Sequence, residues 1–489
     1  MRHIIRAASV ISLLAGAVNG LQVDFSSDDS IKEAASTVAY GLLKYYTGNN
    51  TGDTPGNLPD PYFWWEAGAM FGTMVDYWFL TGDASYVDVT TQALLHQSGD
   101  DRDFMPTNQT RTLGNDDQGF WGMAAMSAAE NNFPNPPADQ PQWLALAQAV
   151  FNEYVGRWDP ETCNGGLRWQ IFTFNTGFNY KNSISNGCFF NIAARLARYT
   201  GNQTYADWAE KVWDWMEDIK FIDDEFNVYD GAGVEAGCTV LSRPQWTYNA
   251  GIFLHGAAVM YNVYNNTNSS STLSLSSSSP STITANDTAS DVWAQRTQGL
   301  AQRTVDIFYN GTGIPVEHSC EPFNQCNIDQ QSFKGYLMRW MSGAAQMAPF
   351  TFDTLMPLVQ SAAQAAALQC SGSPPADQFK GDPGTACGFK WTQKDQFDGQ
   401  VGVGEQMNAL SAIQYSLVKR AEVAAAEDKV PVTANTGGTS VGNVNAGAST
   451  ESKIPAPKPI TLPERVAAGF ATTAVLFSVL GGSFFVMKE

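Results

Sequence analysis

Apolar residues recur along this chain at three- and four-residue spacing, with little of the two-residue alternation that marks a strand. The pattern is clearest from Tyr205 to Ile219. Tyr205, Trp208, Val212, Trp215 and Ile219 share one side, and Asp207, Glu210, Lys211, Asp214 and Asp218 lie elsewhere. Such a segment forms a helix that buries one face. The same reading places helices over 31–46, 65–80, 86–96, 118–130, 142–155 and 183–199. It continues over 246–263, 289–309, 331–347, 357–370 and 405–425, twelve helices with 205–219 included.

An internal echo points to regular helix pairing. Thr81-Gly82-Asp83-Ala84-Ser85-Tyr86 resembles Thr200-Gly201-Asn202-Gln203-Thr204-Tyr205. In each, glycine ends one helix in the left-handed conformation and polar residues open the next. Repeated helical hairpins build a solenoid or a closed ring. The period is irregular and is interrupted by long loops over 158–181 and 218–245, which favours the ring. The expected fold is all-α, an (α/α)6 barrel of six hairpins.

Both ends of the chain break the pattern. Arg2, His3 and Arg6 precede an apolar run over 7–17, and small residues at Val18 and Gly20 follow, so residues 1–20 read as a signal peptide. Near the other end, 466–487 is an almost uncharged run long enough to cross a bilayer, preceded by a polar stretch with Pro455, Pro457, Pro459 and Pro463. Small residues Asn445-Ala446-Gly447-Ala448-Ser449 come before that. Small site, polar spacer and apolar tail are the layout of a GPI signal, so 448–489 reads as a propeptide. The attachment residue stays open between Asn445 and Ser449, and a retained transmembrane helix is the alternative. Residues 426–447, without an apolar pattern, read as a flexible linker. The expected location is the outer face of the plasma membrane and the cell wall, with a lipid anchor.

Composition fits an exported globular domain over 21–425. Aromatic residues make up 12% of the chain, including 14 Trp, which is ample for one large core. Seven Cys, at 163, 188, 238, 320, 326, 370 and 387, suggest up to three disulfides and one spare thiol, with Cys320 and Cys326 close enough for a short bridge. Asn49, Asn108, Asn202, Asn265, Asn268, Asn286 and Asn310 each head an Asn-x-Ser/Thr glycosylation site. Residues 265–290 are Ser/Thr-rich and read as a flexible insertion. A net charge of −20 argues against nucleic acid as a partner. Four His and no Cys/His cluster give no expectation of a metal or cofactor.

Four Asp-Asp pairs occur, and such pairs are mostly solvated turns or caps. Asp116-Asp117 differs in context. It lies in Gly114-Asn115-Asp116-Asp117-Gln118-Gly119-Phe120-Trp121-Gly122, ahead of an almost uncharged helix. Carboxyls entering a buried helix cost desolvation energy unless they are used or capped. A structural reading makes Asn115 the N-cap and Gln118 its capping-box partner. A chemical reading uses both acids on a glycosidic bond, one protonating the leaving oxygen and the other meeting the anomeric carbon.

The motif Asn115-Asp116-Asp117-Gln118 followed by Gly-Phe-Trp-Gly resembles the active site of glycoside hydrolase family 76, the endo-α-1,6-mannanases. Phe63-Trp64-Trp65-Glu66-Ala67-Gly68, Gly165-Gly166-Leu167-Arg168-Trp169, Tyr180-Lys181-Asn182, Trp246-Thr247-Tyr248-Asn249-Ala250-Gly251, Phe333-Lys334-Gly335 and Gly404-Glu405-Gln406 extend the likeness over about 21–425. With both end signals, the chain is similar to the family's fungal cell-surface branch. The resemblance implies a retaining mechanism with Asp116 as nucleophile and Asp117 as general acid/base. It implies a substrate with α-1,6-linked mannose, in mannan or a GPI-core glycan, and transfer to β-glucan as an added activity. Asp230 aligns with a recurring acid of the family and is a candidate for binding mannose. Trp65, Trp121, Trp169 and Trp246 are candidate stacking platforms, and Tyr248, Asn249 and Lys334 are further candidate contacts. Two other readings compete: a non-catalytic mannan-binding wall protein, and calcium bound by Asp116, Asp117 and Asp230.

Overall fold

The computed structural model describes residues 20–109, 112–267, 288–309, 311–393, 396–447, 469–470 and 472–473. All of the expected signal peptide but Gly20, most of the Ser/Thr-rich insertion and most of the expected propeptide lie outside them. The described residues from 20 to 447 form one compact unit. The second unit, 449–489, contributes four described residues, all helical.

Helices alternate between an outer and an inner layer. The inner ring runs α2 (Trp64–Thr81), α4 (Asn115–Glu130), α6 (Ser183–Thr200), α8 (Thr247–Thr267), α10 (Phe333–Met347) and α12 (Val403–Tyr415). Each packs on the next, and α12 packs back on α2, which closes the ring. Outside it lie α1 (Asp28–Leu43), α3 (Val87–Gln97), α5 (Trp143–Arg157), α7 (Gln203–Asp218), α9 (Ala289–Phe308) and α11 (Phe352–Gln369), each against an inner neighbour. This is the (α/α)6 barrel.

The two layers differ in sequence because they differ in solvent. Inner helix α12 is buried at every residue from Val403 to Tyr415. Most of its residues are apolar or small, and the buried amides of Gln406, Asn408 and Gln414 are hydrogen-bonded to protein backbone. Outer helix α7 buries Tyr205, Ala209, Val212, Trp213 and Met216 and leaves Lys211 and Asp218 exposed, so its pattern is the strongest in the chain. The internal echo holds at atomic detail. Gly82 and Gly201 both sit at positive φ and donate to Trp78 O and Ala197 O, each at 2.8 Å. Thr81 and Thr200 hydroxyls then accept from the amides of Asp83 and Asn202 at 3.1 and 3.2 Å.

Three expectations change. The last helix does not run on to 425: it stops at Tyr415, and a short helix α13 (Ala421–Ala426) follows. The long loops over 158–181 and 218–245 carry a small antiparallel sheet of β1 (Tyr180–Asn182), β2 (Gly231–Gly233) and β3 (Leu241–Ser242), in that order. The stretch read as a flexible linker is laid on the barrel. Val432 N–H donates to Glu130 O at 2.7 Å, Ala434 N–H to Tyr199 O at 2.9 Å and Asn443 N–H to Gln148 Oε1 at 2.6 Å.

Disulfides join Cys163 to Cys238, Cys320 to Cys326 and Cys370 to Cys387, and Cys188 remains a buried thiol. The first ties the loop before β1 to the turn between β2 and β3. Asn49, Asn108, Asn202 and Asn265 are exposed, while Asn268, Asn286 and Asn310 lie outside the described residues. Asn202 caps α7 through its side-chain oxygen, which leaves its amide nitrogen available to a glycan.

Candidate active site

Helix α4 begins at the ring's open end, and its first turn holds Asp116 and Asp117. The N-cap is Gly114, not Asn115, and the capping carboxylate is Asp117, whose Oδ2 accepts Gly114 N–H at 2.7 Å. Asn115 and Gln118 instead brace the turn from behind. Arg157 Nη1 donates to Asn115 Oδ1 at 2.9 Å and to Gln118 Oε1 at 2.6 Å. The Asn115 amide reaches Arg168 O at 2.8 Å, and that of Gln118 reaches Asp103 O at 2.7 Å. Tyr154 donates to Asn115 O at 2.5 Å from beneath.

The pair opens into a cleft of about 640 Å³ whose walls include Phe63, Trp65, Trp169, Tyr180, Asp230 and Asp329. Among the described residues, four aspartates and no Lys, Arg or His line it. Gly114 sits close enough to both acids that a Cβ there would lie 2.4 Å from Asp116 Oδ1 and 3.2 Å from Asp117 Oδ2. Only glycine lets the backbone approach the pair so closely.

Burial raises both carboxyls. Asp116 is pushed well above the usual carboxylate range by burial and then by the Asp117 charge, opposed by nearby backbone N–H groups and the Trp169 indole. Burial pushes Asp117 up to about 6, against the Gly114 N–H that favours its charged form, and the Asp329 charge adds to the rise. Two adjacent carboxyls in this state hold a proton between them near neutrality, as acid–base cleavage of an acetal requires.

The remaining site residues divide by position. Trp65 lines the cleft, packs on Phe120 at 4.7 Å and donates its indole N–H to Asp329 Oδ1 at 3.0 Å. Trp169, 36% exposed, stands at the rim. Asp230 lines the cleft, is raised by burial, and accepts from the Tyr180 hydroxyl at 2.6 Å and from the Trp246 indole. Tyr248 lines the cleft with its ring stacked 3.7 Å from Phe333.

Four expected sugar contacts are displaced from that role. Trp121 is fully buried, stacked between Trp64 and Phe104 in the core. Trp246 stands behind Asp230 and outside the lining. Asn249 is fully buried on α8 and is not among the lining residues, although its neighbour Tyr248 is. Lys334 is fully buried, with Nζ 3.0 Å from Glu321 Oε2 and 2.6 Å from Phe389 O, so its charge is spent inside the protein. The calcium reading finds no support, since no group of three or more His, Cys, Asp or Glu is arranged for a metal among the described residues.

Sequence reading missed Asp329, Phe63 as a wall, and Phe120. Phe63 is 54% exposed at the cleft, a signal visible only once the fold is known. Glu66 of the Phe-Trp-Trp-Glu motif is not in the cleft lining. It is wholly buried, and burial, followed by the Asp329 and Glu405 charges, holds its carboxyl well above the usual range.

Residues 30–429 match the model of Glycosyl hydrolase family 76. The mannan endo-1,6-alpha-mannosidase DCW1 of Saccharomyces cerevisiae is 43% identical over 464 residues, covering 94% of both chains. A putative mannan endo-1,6-alpha-mannosidase of Schizosaccharomyces pombe is 44% identical, covering 90% of both. The crystal structure of Dfg5 from Chaetomium thermophilum in complex with glucosamine superposes with a TM-score of 0.76 at 44% identity, over 87% of this chain and 98% of that one. The GH76A alpha-1,6-mannanase of Salegentibacter sp. HEL1_6 shares the fold at 18% identity, with a TM-score of 0.57 over 80% of this chain. By the extent of the family match and the identity of these relatives, the chain belongs to glycosyl hydrolase family 76.

Proposed function

We propose that this chain is a retaining endo-glycosidase for α-1,6-linked mannose, in mannan or a GPI-core glycan, that acts in cell-wall biogenesis. The observation that carries the reading is the pairing of Asp116 and Asp117, both raised by burial, in a cleft walled by aromatic residues. An acidic lining disfavours anionic polymers and accommodates neutral or amino sugars. Relatives covering nearly the whole chain carry the name mannan endo-1,6-alpha-mannosidase.

In the first step the Asp116 carboxylate attacks the anomeric carbon while Asp117 gives its proton to the departing glycosidic oxygen. A mannosyl ester on Asp116 and a free reducing-side sugar result. In the second step Asp117, now a carboxylate, takes the proton of an incoming hydroxyl whose oxygen displaces Asp116. Water as that acceptor gives hydrolysis. A hydroxyl of β-glucan gives transfer, the same chemistry with a different nucleophile. For cleavage the proton must sit on Asp117, as burial favours and the Gly114 N–H opposes. The opposite role assignment is therefore a direct object of test.

The lipid-anchor and signal-peptide readings place the enzyme outside the plasma membrane, where anchored proteins present mannose. Incubation of the mature protein with α-1,6-mannan and with a GPI-core glycan, with and without β-glucan, tests the reading. Cleavage or transfer that is lost in Asp116→Asn and Asp117→Asn supports it. Binding without turnover by the intact protein returns the non-catalytic reading.

A further inference from the structure

Residues 429–447 lie almost entirely beyond the family match, which ends at 429, yet they are built into the barrel. The strap starts at the end opposite the cleft. Arg198 donates to Pro431 O at 2.7 Å and to Val432 O at 3.3 Å, and Val432 and Ala434 bond the C-terminal ends of α4 and α6. It then turns along outer helix α5. Ser440 Oγ accepts the Leu144 N–H at 2.9 Å and so caps the first turn of α5 in place of a residue of the helix itself. Asn443 N–H meets Gln148, and the Asn152 amide donates to Val444 O at 2.9 Å and Ala446 O at 2.7 Å.

Glycine makes this fit possible. A Cβ on Gly442 would lie 2.7 Å from Gln148 Oε1 and 2.8 Å from Leu144 Cδ2, and one on Gly447 would lie 2.8 Å from Ala149 O. Between Leu144 and Asn152 the strap climbs roughly 12 Å, at about 1.5 Å per residue, up the flank of a 15-residue helix. The outward side of α5 is consequently covered at Leu144, Gln148 and Ala149.

Two features of the covered flank are unusual for this chain. From Val430 to Gly447 no residue is charged, in a protein of net charge −20. Val441 and Val444 stand 66% and 60% exposed on it, beside the residues that form the small-residue cluster of the C-terminal signal. A neutral surface with exposed apolar side chains rests on a lipid headgroup layer without the cost of desolvating charged groups, which the acidic remainder of the protein surface would meet.

We propose that the strap is the tether, and that it lays the α5 flank of the barrel against the lipid bilayer, with the cleft opening along the membrane plane. The proposal rests on the lipid-anchor reading. An anchor attached anywhere from residue 445 to 447 leaves the barrel wall directly, with no free linker between. The catalytic pair, at the α4 N-terminus, then faces glycans carried at the same height by neighbouring anchored molecules.

The test uses the full-length protein in its own membranes, with single labels at Val444→Cys and, across the ring on α11, at Gln364→Cys, and a quencher carried on lipid headgroups. Several-fold stronger quenching at position 444 is expected. Equal quenching, or stronger quenching at position 364, overturns the orientation. Phosphatidylinositol-specific phospholipase C is applied in parallel. Release with loss of the quenching supports both readings. Resistance to the phospholipase with strong quenching at 444 retained overturns the lipid anchor and leaves the orientation supported. Hydrogen exchange gives an independent readout: slow exchange at Val432, Ala434 and Asn443 is expected, and exchange at the rate of free chain overturns the strap as the tether.

Discussion

The N–H of Gly114 donates to Asp117 Oδ2 at 2.7 Å, so one carboxyl of the reactive pair also caps the helix that presents it. The backbone contact that positions Asp117 thus also opposes the upward push of burial on its carboxyl. A methyl group at Gly114 would collide with Asp116 Oδ1 at 2.4 Å, while the backbone there, at φ −91°, suits any residue. Gly114→Ala is expected to lower kcat about 100-fold, the scale of a displacement near 1 Å, with the melting temperature nearly unchanged. Steady-state kinetics and thermal unfolding on the same preparation check this.

Arg157 acts on the pair only through Asn115 and Gln118. Arg157→Met leaves two buried amide oxygens without a donor, which costs about 1–3 kcal/mol each at most, and lets the first turn of α4 shift. The expected result is a fall in kcat with KM little changed. Arg157→Lys, which keeps the charge but not the fork, should recover part of the loss.

The disulfide between Cys163 and Cys238 spans 75 residues and ties together the loops that carry Trp169 and Asp230. Closing a loop of that length restricts the unfolded chain by about 4 kcal/mol. Cys163→Ser with Cys238→Ser is expected to lower the denaturation midpoint and also to raise KM, because both cleft walls gain freedom. A change in stability alone would mean that the sheet holds the walls without it.

Stability should fall as pH rises through neutrality. Asp117, Glu405 and Glu317 are raised by burial to about 6, 7 and 8, above their unfolded values of 3.8, 4.5 and 4.5. Groups shifted upward bind protons more tightly when folded, so their contribution is fully present below about pH 4 and is lost as pH climbs through the folded values. Asp159 and Asp223, shifted downward, act in the opposite sense below about pH 4. Melting temperature is therefore expected to peak in mild acid and decline toward about pH 8, with a shallower decline in Glu405→Gln.

The helices were legible because a buried face repeats every three to four residues whatever covers it, and the outer helix α7 shows this most clearly. Asp116-Asp117 was legible from its glycine and aromatic surroundings. Other features leave no such trace. Trp121 in the core and Trp169 at the rim are both tryptophans in aromatic motifs, and only the assembled ring separates them. Asp329 touches the site from a loop between two helices with no pattern of its own. The strap was misread because it binds through backbone hydrogen bonds and close-packed glycine. In sequence, both look like freedom.

Trapping with azide addresses the assignment of the two carboxyls most directly. An activated α-1,6-mannobiosyl fluoride is offered to Asp117→Ala and to Asp116→Ala in the presence of azide, and the anomeric form of the mannosyl azide is determined by NMR. Without the acid/base, Asp116 still forms the glycosyl ester and azide replaces it, so Asp117→Ala should yield the α-azide. Without the nucleophile, azide attacks the donor itself, and Asp116→Ala should yield the β-azide. The reverse pair of products would exchange the two roles, and full wild-type turnover of unactivated mannan by either variant would contradict a mechanism built on this pair.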